Sequence, residues 1–450
     1  MRNVLIHISY FGDLEFSKRM IGVIWLYRFL FIPAFLLLLP YYLIRMVRRG
    51  GYLRDFKQRI GFAPCLGRSE GRRVWIQAVS VGEVLAVEPL VDGLIGLGYE
   101  IVLTTTTSTG YKLARKKYDS KVRFTGLFQL DFLPIVRSSW KRLRPDICLL
   151  MESELWPEHL WQAHQRKVPI ILVNARMSDR SFKRAKLVKF AYAPLLQSLA
   201  GLMASGQQDL DRYLNLGIDP EKAQLTGNLK IDVELSPVID AEKKAKLMDE
   251  IGFSKNIPVI LGSSTWAGEE LALTEVTQRL ILAGIQCHLL LVPRHAERRG
   301  EIRKQLEGQS LTWHFRSDSL SPPKTTVIYV ADTTGELVRF TQISSVAFIG
   351  KTLPPNEGSQ TPIEAAALGI PTVFGPATNN FRIICEELEE AEASVRIQDI
   401  DTLFEVLKAL LDDTDRLNNM SRAATNWHKA NLGASERTLE FIKNLTPTPS

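Results

Sequence analysis

VWIQAVSVGEVLAVEPLVDGL, residues 74 to 94, is the stretch whose reading decides the fold. Its opening run, Val74 to Val79, is apolar and strand-like. A turn through Ser80-Val81-Gly82-Glu83 follows, after which Val84, Val87, Leu90, Val91 and Leu94 recur at helical spacing. A strand that feeds a helix through such a turn places the turn at the carboxyl end of a parallel sheet, where open α/β folds hold their ligands. Glu83 stands in that turn. Ser80-x-x-Glu83 is also a capping box, in which the carboxylate serves the backbone. On this segment alone, capping is the more economical reading.

Outward from it the rhythm repeats. Strand-like runs fall at 74–79, 100–105, 146–151, 169–174 and 200–204, with amphipathic stretches between them. A polar, Pro-containing connection follows, and the pattern restarts with strands at 257–262, 286–293, 326–331, 345–350, 371–374 and 393–397. The expected architecture is α/β: two doubly wound, Rossmann-like domains with parallel sheets, facing across a cleft. The expected boundaries are an N-terminal anchor over 1–47, a first domain over 48–235, a linker over 236–256, a second domain over 257–430, and a C-terminal helix and tail over 431–450. One long amphipathic helix is expected from about 415 to 443.

The anchor reading rests on IGVIWLYRFLFIPAFLLLLPYYLIRM, residues 21 to 46, which is almost wholly apolar or aromatic apart from Arg28. No small-residue cleavage site follows, which argues against a secretory signal. A segment at the threshold of spanning a bilayer, with Arg28 near one interface, fits better than a buried helix. Arg45, Arg48, Arg49, Arg54, Lys57 and Arg59 flank it against the single acid Asp55, so the positive-inside rule puts everything after residue 47 in the cytoplasm. Cys65, Cys148, Cys287 and Cys385 show no C-x-x-C spacing and read as reduced residues of a cytosolic body. A hydrophobic content of 45% and a charged content of 23% exclude a disordered chain, and the net charge of +7 suits an anionic partner. No RNA- or DNA-binding module is visible, and nucleic acid is not expected as a partner.

Several strand-end segments share a polar, small-residue-rich, charge-bearing character: MESELWPE at 151–158, NARMSDRS at 174–181, TGNLKID at 226–232, GSSTWAGEE at 262–270, PRHAER at 293–298, DTTGEL at 332–337 and GSQTPIEAAALGIPTVFGP at 358–376. Each has a plain alternative. Thr361-Pro362-Ile363-Glu364 is a good helix start, Glu269 and Glu270 suit a helix N-terminus, and Lys230 and His295 suit a surface. Together they suggest more. A helix over 361–369 can offer bare N–H groups to a phosphate, Arg294 can clamp it, and Glu364 can accept from ribose hydroxyls. Nucleotide-sugar glycosyltransferases of the two-Rossmann (GT-B) type hold donors in this way and need no metal. The D-x-D of Asp209-Leu210-Asp211 lies within a helical pattern and is discounted as a metal site.

QRIGF at 58–62, AVSVGEV, MESELWP, NARMSDRS, TGNLKID, LVPRHAER, DTTGEL and IEAAALGIPTVFGP, followed by Asn380-Phe381, resemble in order and register the 3-deoxy-D-manno-octulosonic acid (Kdo) transferases of lipopolysaccharide synthesis. The resemblance implies an inverting glycosyltransferase with CMP-Kdo as donor, no metal or other cofactor, and a lipid A precursor (lipid IVA) as acceptor. It also implies work on the cytoplasmic face of a bacterial inner membrane. Matched residue by residue, Glu83 is the catalytic base, and Glu152 and Lys230 stabilise the transition state. Pro293 and Arg294, Thr334, Gly335 and Glu336, and Thr361, Pro362, Ile363 and Glu364 bind CMP. The family's Gly-Gly-His-Asn is replaced by Gly358-Ser359-Gln360-Thr361, its Ser-Thr-His by Ser264-Thr265-Trp266, and a common second Gly by Lys351.

Under that reading Glu83 deprotonates the acceptor hydroxyl. The helix dipole alone would hold its pKa low. Apolar cover, or closeness to Glu152, is needed to raise it. Ser80 is expected to cap while the Glu83 side chain swings outward. The run Arg176, Arg180, Lys183, Arg184, Lys186 and Lys189 is read as the phosphate- and membrane-facing surface. Another GT-B activity, such as a different lipid-linked transferase or a sugar-nucleotide epimerase, and a non-catalytic membrane-tethered homologue, remain open on sequence.

Overall fold

A computed structural model describes residues 14–49, 55–69, 71–235, 238–319 and 321–445. Arg54, the side chains of Arg45, Arg48 and Arg49, residues 236–237 and the tail 446–450 lie outside the described residues. The chain forms two compact units, Met1–Val233 with Gly433–Ser450, and Glu234–Leu432.

In the first unit seven strands make one sheet: β1 (Arg73–Ala78), β2 (Glu100–Thr105), β3 (Phe124–Leu127), β4 (Ile147–Met151), β5 (Ile170–Ala175), β6 (Gly201–Ala204) and β7 (Ala223–Leu225). Their order is β3-β2-β1-β4-β5-β6-β7, and every pairing is parallel. The chain winds outward in both directions from β1 and β4, so the topological switch point lies between them. All six residues of β1 are buried, because helices cover both faces. Trp75, Cys148, Leu150 and Leu172 point into one layer, and Val74, Ile76, Leu149 and Ile171 into the other, with the period of two that a pleated strand imposes.

The second unit repeats the construction with β8 (Val259–Thr265), β9 (His288–Pro293), β10 (Trp313–Phe315), β11 (Ile328–Val330), β12 (Val346–Ile349), β13 (Thr372–Phe374) and β14 (Ser394–Arg396). The order is β10-β11-β9-β8-β12-β13-β14, again all parallel, with the switch point between β8 and β12. This is the doubly wound architecture expected for each half. The short strands β3, β7 and β10 were not anticipated from sequence.

Two expectations need correction. The stretch 236–256, read as a linker, carries the helix Ala241–Glu250, and Leu247, Met248, Ile251 and Phe253 lie in the core of the second unit. The single helix expected over 415–443 is two, Thr414–Asn431 and Ala434–Leu445, broken at Gly433, whose φ of +94° only glycine adopts readily. The last helix belongs to the first unit, where Ala434 and Ile442 are buried and Asp232 accepts from the Gly433 and Ser435 N–H groups at 2.9 and 2.5 Å.

Arg28 stands on the 36-residue N-terminal helix Leu14–Arg49. Its guanidinium makes a bidentate pair with Glu158, at 2.9 and 3.0 Å, inside the first unit, so a buried protein carboxylate partners this charge. Met20 and Ile24 are buried beside it, and Phe31 stacks on Phe132 at 5.4 Å. The remainder of the helix faces outward: Trp25, Phe29 and Leu37 are 65%, 77% and 80% exposed. Over Lys18–Tyr41 it is long and apolar enough to cross a membrane.

Candidate active site

At the first switch point, β1 delivers Ser80 in extended conformation, and Ser80 caps the helix Val81–Ala86 by accepting from the Glu83 N–H at 3.4 Å. The Glu83 side chain does not swing outward. Its Oε2 accepts from the Val79 N–H at 2.8 Å and its Oε1 from the Ser80 hydroxyl at 2.8 Å, so the carboxylate is folded onto its own turn. Those two bonds use half of the lone-pair positions of a carboxylate. Burial pushes the Glu83 carboxyl above its usual range and the Glu152 charge adds to this, while Val79, Ser80 and Lys230 pull the other way. Apolar cover and Glu152 thus outweigh the stabilisation that the turn supplies to the anion.

Glu152 follows β4 directly, with φ at +57°, a conformation that costs a non-glycine residue about 1–3 kcal/mol and that concentrates at functional sites. Its Oε1 accepts from Lys230 Nζ at 2.8 Å, and Arg176 Nη1 stands 3.8 Å away. Lys230 is aimed by two asparagines. Asn174, itself at φ +52°, accepts from the Leu229 N–H at 3.0 Å, and Asn228 accepts from the Lys230 N–H at 3.0 Å. The sequence-predicted residues Glu83, Glu152 and Lys230 are therefore brought together.

Glu154 joins them, and sequence reasoning missed it. Its Oε2 accepts from Trp156 Nε1 at 2.7 Å, while burial and then repulsion from Glu83 and Glu152 raise its carboxyl to about 7. The available signal was the density of carboxylates in MESELWPE, a strand-end loop with three acids in eight residues. The D-x-D carboxylates have internal uses. Asp209 accepts from the Met177 N–H and the Ser205 hydroxyl at 2.8 and 2.9 Å, and Asp211 from Gln207 at 2.8 Å.

In the second unit Pro293 ends β9 in the core, and Arg294 turns outward, its N–H donating to Thr265 O at 3.0 Å. The helix expected over 361–369 is shorter, Ile363–Ala367, because Pro362 occupies its N-cap; Thr361 Oγ1 accepts from the Ile363 N–H at 3.2 Å. Burial raises the Glu364 carboxyl above its usual range, against the pull of the Arg294 charge. Thr334 and Gly335 are exposed on the loop after β11, with Gly335 at φ +90°. Glu336 is engaged elsewhere, pairing with Arg316 at 2.7 Å and with Arg339 at 3.5 Å.

Glu269, expected only to face a helix dipole, is a buried clamp. Its carboxylate accepts from the backbone N–H groups of Trp266, Lys351, Thr352 and Leu353 at 2.8 to 3.1 Å, joining the loops that leave β8 and β12. Trp266, Lys351 and Gln360, where the sequence departs from the Kdo transferase pattern, meet at this clamp: Lys351 Nζ lies over the Trp266 ring at 4.7 Å, and the Gln360 N–H donates to Gly350 O at 3.0 Å.

Over 404 aligned residues the chain is 31% identical to the 3-deoxy-D-manno-octulosonic acid transferase of Bordetella pertussis, covering 85% of this chain and 91% of that one. The chain belongs to the 3-deoxy-D-manno-octulosonic acid transferase family. Residues 54–233 match the pattern described as 3-Deoxy-D-manno-octulosonic-acid transferase (kdotransferase). The Kdo transferase of Rickettsia bellii is 30% identical over 426 residues, 93% of this chain and 96% of that one. Among solved structures, the UDP-GlcNAc 2-epimerase of Neisseria meningitidis shares the fold, with a TM-score of 0.59 over 82% of this chain and 99% of that one, at 15% identity. This chain is thus a GT-B glycosyltransferase of the Kdo transferase family, with one apolar helix ahead of its two sheets.

Proposed function

We propose that the protein transfers Kdo from CMP-Kdo to a hydroxyl of a lipid A precursor such as lipid IVA, without a metal. The observation that carries this reading is the meeting of Glu83, Glu152 and Lys230 at the switch point of the first sheet, in a chain of the Kdo transferase family.

In the proposed reaction a free lone pair of the Glu83 carboxylate takes the acceptor proton as the acceptor oxygen attacks the anomeric carbon of Kdo. The new C–O bond forms on the face opposite the leaving phosphate. The old C–O bond breaks towards CMP, which departs with the electron pair, inverting the centre. A raised Glu83 pKa makes its anion a stronger base. Lys230 pairs with Glu152, and the Glu152 charge sustains the basicity of Glu83. In the second unit Pro293, Arg294, Thr334, Gly335 and the segment Thr361–Glu364 receive the CMP moiety, with Arg294 on its phosphate. Glu336 acts there through Arg316, holding the loop in place.

The acceptor is a membrane lipid, and the surface suits that. Leu187, Val188 and Phe190 are 82%, 46% and 70% exposed, and Arg180, Lys183, Arg184, Lys186 and Lys189 surround them. The N-terminal helix packs against the helix Lys189–Gln197 of this region. The expected setting is the bacterial inner membrane, with the body on its cytoplasmic face. The test is incubation of the detergent-purified protein with CMP-Kdo and lipid A precursor in the presence of a chelator. Mass spectrometry should find the precursor enlarged by Kdo residues; an unchanged precursor, with CMP-Kdo intact, would refute the proposal.

A further inference from the structure

The second switch point holds a charged side chain that the proposed reaction has not used. Lys351 follows β12 with φ at +65°, a conformation that glycine adopts freely and lysine does not. Such an outlier persists only where its surroundings enforce it. Here Glu269 does so, one oxygen accepting from the N–H groups of both Trp266 and Lys351 at 2.8 Å each. The enforced backbone lays the Lys351 ammonium over the Trp266 face at 4.7 Å, while the His295 ring meets Trp266 edge-on at 5.2 Å. The ammonium also reaches the loop ahead of Thr361: a Cβ at Gly358 would sit 3.4 Å from Lys351 Nζ. Neither Lys351 nor Arg294 has an ion-pair partner within 4.0 Å among the described residues.

This arrangement differs from a solvated surface lysine in three ways. Its stem is fixed at both ends, by a strained backbone bound to a buried carboxylate and by an aromatic face. An indole face attracts the ammonium through its quadrupole without neutralising it, so the full positive charge stays available. Its place, between the two loops that part at a topological switch point, is where doubly wound sheets take ligands. Arg294 leaves the neighbouring strand β9, tied by its N–H to Thr265, the residue before Trp266.

We propose that Lys351, mounted on Trp266, forms with Arg294 an anion subsite at the β8/β12 switch point and receives an anionic oxygen of the sugar-nucleotide donor. The identity of that donor rests on the function proposed above. CMP-Kdo carries two anions, the phosphodiester and the sugar carboxylate; Arg294 takes the phosphate, and Lys351 either shares it or takes the carboxylate.

Lys351→Gly and Lys351→Met test this in the full chain in detergent. Glycine suits the backbone at this position, so Lys351→Gly should melt at or above the wild-type temperature, whereas loss of a merely structural lysine would lower it. One charge-assisted contact corresponds to about 10- to 100-fold in affinity. If the dissociation constant for CMP rises by that factor, Lys351 holds the phosphate. If CMP binds normally and the KM for CMP-Kdo rises instead, it holds the carboxylate. Trp266→Leu should show a smaller loss in the same readout. Both constants staying within about twofold of wild type in both lysine variants would overturn the subsite. If the wild-type protein ignores CMP but binds UDP or pyrophosphate, the donor assignment fails, and the dependence of that binding on Lys351 still decides the subsite. Binding of none of the three by the wild-type protein would refute both.

Discussion

The two switch points of this molecule are built alike and equipped oppositely. In each, loops leave adjacent parallel strands in opposite directions, and a non-glycine residue just past one of those strands adopts positive φ: Glu152 directly after β4, and Lys351 one residue further on, behind Gly350, after β12. In each, a buried carboxylate is bound to backbone N–H groups of the turn, Glu83 to Val79 and Glu269 to Trp266 and Lys351. At the first, Lys230 pairs with Glu152, and the Glu152 charge helps to raise the proton affinity of both Glu83 and Glu154. At the second, Lys351 and Arg294 stand without carboxylate partners within 4.0 Å among the described residues. The comparison teaches that the backbone device is general and the loop side chains set the chemistry. Under the proposed function the first point handles a proton and the second an anion.

The contrast can be broken in several ways. The largest effect is expected at Glu269. Glu269→Ala strands four backbone N–H groups, two of them in buried bonds, a loss on the order of 3–5 kcal/mol, so the urea midpoint should fall steeply and nucleotide binding should fail with it. A midpoint close to wild type would show that the clamp is ornamental.

Next, Lys230→Met removes the partner of Glu152, and transfer should drop about 10- to 100-fold with the affinity for CMP preserved. Lys230 lowers the Glu83 pKa, so its loss raises that pKa further and the acid limb of the rate profile should move to higher pH. An unmoved limb would uncouple Lys230 from Glu83.

A smaller effect concerns Glu154, whose folded-state pKa of about 7 lies above its ordinary value of 4.5. The native state therefore binds its proton more tightly than the unfolded state, and stability falls as pH rises from about 4.5 to about 7. Glu154→Gln removes this term, so it should lift the melting temperature at pH 8 relative to wild type more than it does at pH 5. Equal shifts at the two pH values would remove Glu154 from the coupled cluster.

The smallest change is expected outside both switch points. Neutralising Lys183 and Arg184 to Gln removes surface attraction of about 1 kcal/mol per charge, so partitioning onto anionic vesicles should weaken by a few-fold to tens-fold. Unchanged partitioning would count against the basic run as a membrane surface.

The sheets were legible because their central strands are long apolar runs and their loops open with turn residues, as in VWIQAV followed by SVGE. The edge strands β7 and β10 were not: each has three residues and no sustained alternation, so only pairing to a neighbour defines it. Gly433 was visible as a residue but not as a break, since the pattern on either side is helical. Which unit the last helix joins depends on contacts such as Asp232 with Ser435, some two hundred positions apart. Likewise Arg28 looked like a flaw in a lipid-facing segment until Glu158 supplied its partner. Glu83, Glu152 and Lys230 could be named from motifs, but the fold-back of Glu83 onto Val79 could not, because one short acid can serve its own turn or a ligand with the same local sequence.

Glu83 tests the account most directly. In one preparation of Glu83→Gln, CMP affinity is measured by titration and transfer from CMP-Kdo to lipid A precursor by product mass over time. The account predicts wild-type CMP affinity with transfer slowed about 10²- to 10⁴-fold, the range for losing a positioned general base. Near-normal transfer by Glu83→Gln would contradict it.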